Sequence, residues 1–139
     1  MKSKLSAREY AVKVCSLSQQ TKKTLAEKLK KKYPYDDVDA IITAMEDLGY
    51  IDEKSYAQAF IRDSYKIKKH GKKRIAAELS LKGVKSKLIE EALTSAEVDE
   101  TQIIKDVISK KENLEKEKLT AFLLRRGFSY DDIRRCMNE

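Results

Sequence analysis

The chain has 139 residues, 41% of them hydrophobic, and carries 30 basic against 23 acidic side chains for a net charge of +7. This is material for one small domain or a few very small ones, and no apolar run approaches the roughly 20 residues that a membrane-spanning helix needs. The opening Met1-Lys2-Ser3-Lys4-Leu5 leads into a polar helical pattern and not into a signal peptide's apolar stretch, so a cytoplasmic protein is expected.

Only 4 glycines and 1 proline are present, and lysine, glutamate, leucine, isoleucine and alanine dominate, which favours helix because these side chains lose little freedom in one. Apolar residues recur at helical spacing. The first stripe runs Ala7, Tyr10, Ala11, Val14, Cys15; the second Leu25, Ala26, Leu29; the third Val38, Ile41, Ile42, Met45, Leu48. The pattern resumes with Tyr56, Ala57, Phe60, Ile61, then Ile75, Ala76, Leu79, then Leu88, Ile89, Ala92, Leu93. It runs a third time through Ile103, Ile104, Val107, Ile108, then Leu119, Phe122, Leu123, and last Ile133, Cys136, Met137. Nine amphipathic helices are predicted, in three sets of three. Gly49, Gly71, Gly83 and Gly127 each follow the end of a stripe, where a left-handed C-terminal cap is wanted. Ser6-x-x-Glu9 and Asp99-x-x-Gln102 have capping-box spacing, and Thr21, Asp52, Ser86 and Ser129 stand where first free amides need an acceptor.

The sets read as copies of one unit. Ile75 through Gly83-Val84 to Ile89 aligns without gaps on Leu119 through Gly127-Phe128 to Ile133. The stretch from Leu25 to Ile42 matches only with a one-residue deletion, and it has Tyr33-Pro34 where the others carry Gly-Val or Gly-Phe, so it is the divergent terminal copy. The predicted fold class is all-α, with three tandem three-helix repeats at 1–50, 51–96 and 97–139. Units of this size bury little core individually, so neighbours are expected to lean on one another in a row, giving an elongated array. Charged helix surfaces without heptads point to a monomer.

Catalysis needs a convergent set of groups, and none is visible. His70, the only histidine, lies in a lysine-rich stretch directly before Gly71 and reads as a cation capping a helix C-terminus. Asp36-Asp37 and Asp131-Asp132 fall at equivalent repeat positions in the first turn of a helix, where negative charge meets the dipole. Without histidine or cysteine beside them they do not read as a metal site. Cys15 and Cys136, far apart on apolar faces, read as reduced core thiols, and Tyr10, Tyr56 and Tyr65 as core rings instead of base-stacking platforms. The sequence has no phosphate-binding glycine loop and no nucleophile elbow. No enzyme, cofactor or metal is expected.

What remains is binding. Between Arg62 and Lys87 lie ten basic residues against Asp63 and Glu78, an excess of eight beside the +7 of the whole chain, and Lys22, Lys23, Lys28, Lys30, Lys31 and Lys32 form a second cluster around Glu27. Such clustering suggests a polyanionic partner. The candidate contact residues are Lys69, Lys72, Lys73, Arg74, Lys82, Arg125, Arg126, Arg134 and Arg135. Lys72, Lys73 and Arg74 occupy the first turn of the helix that buries Ile75 and Leu79 and emerge near its tip; Arg125 and Arg126 end the matching helix; Arg134 and Arg135 flank Ile133 and project outward. The planar fork of arginine suits phosphate and carboxylate alike, so nucleic acid and an acidic protein surface fit equally well.

Three motifs resemble a known family. The segment from Gly49-Tyr50-Ile51-Asp52-Glu53 through Tyr56-Ala57 to Arg62 is similar to the central signature of the RecX regulators, Gly71-Lys72-Lys73-Arg74-Ile75 with Glu78-Leu79 and Lys82-Gly83-Val84 to their second motif, and Arg125-Arg126-Gly127-Phe128-Ser129 to their third. Order and spacing hold from about Ala7 to Met137. The resemblance implies tandem three-helix modules in a curved, elongated molecule that lies in the groove of a RecA–DNA filament and inhibits ATP hydrolysis, strand exchange and filament extension, with some non-specific affinity for single- and double-stranded DNA. Glu53 stands where the family usually has aspartate, and Tyr33-Pro34 departs from it in the first unit. The alternative is a stand-alone DNA-binding protein whose three-helix units dock as helix-turn-helix relatives do.

Overall fold

The computed structural model describes residues 4–138; residues 1–3, which begin the segment read for a leader, and residue 139 lie outside it, as do those ends of the first and third predicted repeats. Among the described residues nine α-helices form and no strand: α1 Ala7–Leu17, α2 Lys22–Lys32, α3 Val38–Asp47, α4 Glu53–Asp63, α5 Lys72–Leu81, α6 Ser86–Ala96, α7 Glu100–Lys110, α8 Lys116–Arg125 and α9 Tyr130–Met137. The all-helical class is as expected. A wider, π-helical turn, Ser64–Lys68, prolongs α4 and ends on Lys69 in the left-handed conformation, φ 56°. None of these helices is long and apolar enough to cross a membrane.

The chain packs as two compact units, one made of residues up to Tyr56 with Lys82–Val84, the other of Ala57–Leu81 with residues from Lys85 onward. In the first unit α1, α2 and α3 each touch the other two, around a core of Ala7, Ala11, Leu25, Leu29, Val38, Ile42, Met45 and Ile51. The Ser6–Glu9 capping box starts α1. Thr21 starts α2 in a box with Thr24, and its fully buried hydroxyl donates to the carbonyl of Lys82. Tyr33 ends α2 at φ −128°, so this copy needs no left-handed glycine; its ring packs 5.6 Å from that of Tyr10 and its hydroxyl donates to the Leu5 carbonyl.

In the second unit α5 packs on α6, and α9 on both α7 and α8. Its buried residues include Ile61, Ile75, Leu79, Ile89, Ile104, Leu119, Leu123, Phe128 and Ile133. The gapless repeat alignment is visible here as burial: Ile75 with Leu119, Leu79 with Leu123 and Ile89 with Ile133 are all core residues. Gly83 and Gly127 take φ 92° and 97°, as the cap requires.

Three local expectations are corrected. Gly71 is not a left-handed cap; Lys69 holds the positive φ, two residues earlier, because the wide turn ends the helix there. Lys85 and not Ser86 stands at the N-cap of α6, and it makes no side-chain cap bond. Asp99 does cap α7, accepting from the Thr101 amide, but Gln102 reaches forward to Asp106 instead of back, so no box forms.

A glutamate at the start of one helix caps another in both units. The first residue of α4, Glu53, accepts from the amide of Lys22, the first residue of α2, at 3.0 Å. The first residue of α7, Glu100, accepts likewise from the amide of Lys72, the first residue of α5, at 3.2 Å. Each carboxylate satisfies a free amide at a helix N-terminus and complements its dipole.

Candidate functional site

The second unit brings the start of α5 against the end of α8. The Gly71 amide donates to the Arg126 carbonyl at 2.7 Å and the Lys73 amide to the Gly127 carbonyl at 3.2 Å, so two free donors of one helix meet free acceptors of the other. The approach is possible because both segments carry glycine here: a Cβ on Gly71 would lie 2.5 Å from the carbonyl carbon of Gly127. Arg74 reinforces the crossing, its Nη1 3.5 Å from the Arg125 carbonyl and its Nε donating to Glu78 at 3.0 Å. Arg126 donates to the Lys68 carbonyl, and its guanidinium carbon lies 4.7 Å from the centre of the Phe122 ring.

This crossing gathers most of the sequence-predicted residues. Lys72, Lys73, Arg74 and Arg125 are exposed around it, with Arg126 half-buried. Lys69 is half-buried at the end of the wide turn. Arg134 and Arg135 are exposed on α9 and engage Asp131 and Asp132, one turn back on the same helix; they are tied to their own helix and share no hydrogen bond with the crossing among the described residues. Lys82 belongs to the first unit, where its carbonyl receives the Thr21 hydroxyl and its side chain is exposed. Lys68, Lys110 and Lys111, which the sequence reading passed over as site residues, lie close to Arg126 and Phe122. Their signal in the sequence is weak, because only the tertiary structure brings the end of α7 near the end of α8.

Lys72 and Lys73 sit at the wrong end of α5 for its dipole, which disfavours cations in a helix's first turn by a few tenths to about 1 kcal/mol each. Neither makes an ion pair among the described residues. Cations that break a local rule without structural compensation are the ones to suspect of a partner.

His70 corrects another expectation, since it does not cap a helix as a cation. It is buried, with Nδ1 3.4 Å from the Glu78 carboxylate but in no hydrogen bond among the described residues. Burial, then the facing charges of Arg74, Arg126 and Lys68, hold its pKa below the usual 6.5 against the opposing pull of Glu78. The sign follows directly: the unfolded chain takes up the proton first, so stability is full above about pH 7 and falls as pH drops through 6.5 toward the folded value. A urea titration series between pH 7.5 and 5.5 is expected to show this loss, and His70→Gln, which cannot titrate, is expected to flatten it.

Tyr65 is buried and donates to Glu100 at 3.0 Å, and burial, followed by the charge of Glu100, pushes its pKa far up. It is a structural hydroxyl. Cys136 is buried, its Sγ 3.6 Å from the Thr101 carbonyl, and Cys15 is half-buried; neither forms a disulfide among the described residues. Among the described residues no group of three or more histidine, cysteine, aspartate or glutamate side chains could hold a metal.

Two models of one family match the chain: the RecX second three-helix domain over residues 52–93 and the RecX third three-helix domain over residues 100–137. The regulatory protein RecX of Vibrio vulnificus is 32% identical over 143 residues, covering 97% of this chain and 93% of its own. The chain belongs to the RecX family of regulatory proteins. The regulatory protein RecX of Finegoldia magna is 34% identical over 138 residues, a match spanning 88% of this chain but only 66% of that protein. A crystal structure of RecX from Lactobacillus salivarius superimposes with a TM-score of 0.77 at 25% identity, over 95% of this chain and 92% of its own. The crossing of α5 and α8 joins the two matched RecX domains: Gly71 through Arg74 lie in the second and Arg125 through Gly127 in the third.

Proposed function

We propose that the protein binds a RecA–DNA filament in the cytoplasm and inhibits it, restraining ATP hydrolysis, strand exchange and filament extension, as a monomer and without catalysing a reaction. The observation that carries this is membership of a family of regulatory proteins over nearly the whole chain. Such a role belongs to DNA repair by homologous recombination and to the SOS response. The cations at the start of α5 and the end of α8 support it, because a nucleoprotein filament offers both phosphates and acidic side chains to them. Lys69, Lys72, Lys73, Arg74, Arg125 and Arg126 are the contact residues we favour, with Lys82, Arg134 and Arg135 as further cations that need not act with them. Residues 1–50, 51–96 and 97–139 are taken as the three repeating modules. DNA of either strandedness is bound without sequence preference.

The test is the single-strand-dependent ATPase of the host's RecA, titrated with the protein from well below stoichiometry and repeated at higher salt. Substoichiometric loss of activity, weakened by salt, is the expected result. Sequence-selective duplex binding with an unchanged ATPase would instead favour a stand-alone DNA-binding module.

A further inference from the structure

A groove of about 480 Å³ lies on the second unit, between α4 with its wide turn and the end of α6 with the start of α7. Its floor is apolar, since the core residues Ile61, Ala92 and Ile103 all edge onto it. Arg62, Lys66 and Lys69, spaced four and three residues apart, stand along the wall made by α4 and the wide turn, and no carboxylate lines the groove. The wall from the end of α6 is small and uncharged at Ala96 and Val98, with Val98 39% exposed. Lys66 and Lys69 are in no ion pair among the described residues, and Arg62 meets only its chain neighbour Asp63, at 3.9 Å with both side chains exposed. The Tyr65 hydroxyl ties the wide turn to Glu100 of α7, so the groove is formed in advance of any occupant.

The backbone beside the groove is held in costly conformations. Lys69 at φ 56° and Glu97 at φ 50° are the two non-glycine residues with positive φ among the described residues. Lys69 lines the groove, and Glu97 stands between Ala96 and Val98, which do. Left-handed non-glycine residues gather at ligand clamps, and π-helical turns recur at functional sites.

Charge and apolarity together select the occupant. It must cover an apolar floor while presenting negative charge to one wall only. A polynucleotide carries charge along its whole backbone and seeks an aromatic face for its bases, whereas the one ring lining the groove, Tyr65, is buried. A second copy of this chain would bring a net charge of +7 toward the three cations. An acidic peptide helix fits, because Arg62 to Lys69 covers roughly 10 Å of helix, the distance over which carboxylates at the same spacing line one flank. Apolar side chains on its next face then reach the floor, as in other helix-in-groove complexes.

We infer that this groove docks an acidic amphipathic peptide segment of a partner protein, with carboxylates on Arg62, Lys66 and Lys69 and apolar side chains against Ile61, Ala92, Val98 and Ile103. The inference rests on the groove alone and not on the proposed function, and it shares only Lys69 with the contact residues favoured there.

The test uses the full chain and three fluorescein-labelled peptides of about 14 residues, followed by anisotropy at low and high salt. The first has glutamates along one helical flank and leucines one turn apart on the adjoining face. The second has serine in place of the leucines, and the third has glutamine in place of the glutamates. The first is expected to bind about tenfold or more tighter than either control, and to weaken with salt. Arg62→Gln with Lys66→Gln is expected to weaken it roughly fivefold, as the loss of two exposed ion pairs allows. Ala96→Trp, whose ring fills the groove from an exposed position at the end of α6, is expected to abolish binding with helicity retained. Lys30→Gln with Lys31→Gln, an equal loss of charge at exposed positions on α2, is expected to leave binding unchanged. Equal binding of the serine peptide, or equal weakening by the α2 variant, would mean that only the general charge of the chain attracts the peptide, and overturns the site. No binding of the first peptide overturns it too. So does a finding that the groove variants lower binding of a labelled oligothymidine or of phosphatidylglycerol vesicles while leaving the peptide untouched.

Discussion

Gly71→Ala is expected to cost roughly 3 kcal/mol or more. The added carbon would lie 2.5 Å from the carbonyl carbon and oxygen of Gly127 and 2.6 Å from the amide of Phe128. These are backbone atoms, so no rotamer change relieves the clash. The start of α5 must move away from the end of α8, which breaks the two amide–carbonyl bonds of the crossing and loosens Phe128, 1% exposed, from the core. Overpacking alone costs about 1 to 3 kcal/mol and each lost hydrogen bond about 1 more, against a total of about 5 to 15 for a typical domain. Gly71 has no positive φ, so its penalty is purely one of space. Gly127→Ala adds left-handed strain to a 2.5 Å clash with Arg74, yet the double variant is expected to fall short of the sum because both substitutions separate the same pair of helices. Gly49→Ala meets nothing within 4 Å and is left only with the cost of its φ of 84°, about 1 to 2 kcal/mol. Urea denaturation of the three variants checks the ranking, and a Gly71→Ala cost below that of Gly49→Ala would contradict it.

The second large effect concerns binding. Lys72→Glu with Lys73→Glu changes the local charge by four at the tip of α5, where both side chains are exposed and unpaired among the described residues. Stability is expected to hold or rise slightly, since glutamate suits a helix N-terminus better than lysine does. On the proposed function, inhibition of the filament is expected to weaken by tenfold or more, because attraction to phosphate or carboxylate is replaced by repulsion at contact distance. Arg74 is left out of this variant on purpose: it bonds Glu78 and approaches the Arg125 carbonyl, so reversing it would disturb the crossing and confuse binding with folding. Comparing the concentration for half-inhibition of the recombinase ATPase with helicity by circular dichroism separates the two. Full inhibition by a folded variant would remove these lysines from the contact surface.

The sequence by itself determined the helical class, the register and most of the ends. Stripes such as Ile75-Leu79 and Leu119-Leu123 are buried where their period places them, and Ser6, Thr21, Asp52 and Ser129 accept the first free amides, because a cap bond spans only two or three residues and needs no tertiary partner. Tertiary structure decided what depends on distant neighbours. Gly71 looked like one more cap by its place after an apolar stripe, but its lack of a side chain serves the approach of Gly127, which lies far along the chain. His70 looked like a cationic cap among lysines and is buried, its proton disfavoured by desolvation and by charges contributed from α5 and α8. Glu53 and Glu100 looked like first-turn acids of their own helices and cap two others, since a carboxylate satisfies whichever unpaired amide packing brings within reach. Charge placement was legible to the same degree. The lysines of α5 could be found by counting, whereas the cluster that joins Lys68 and Lys69 to Lys110, Lys111 and Arg126 forms only once three helix ends converge, because electrostatic potential sums over distance in space and not over separation along the chain.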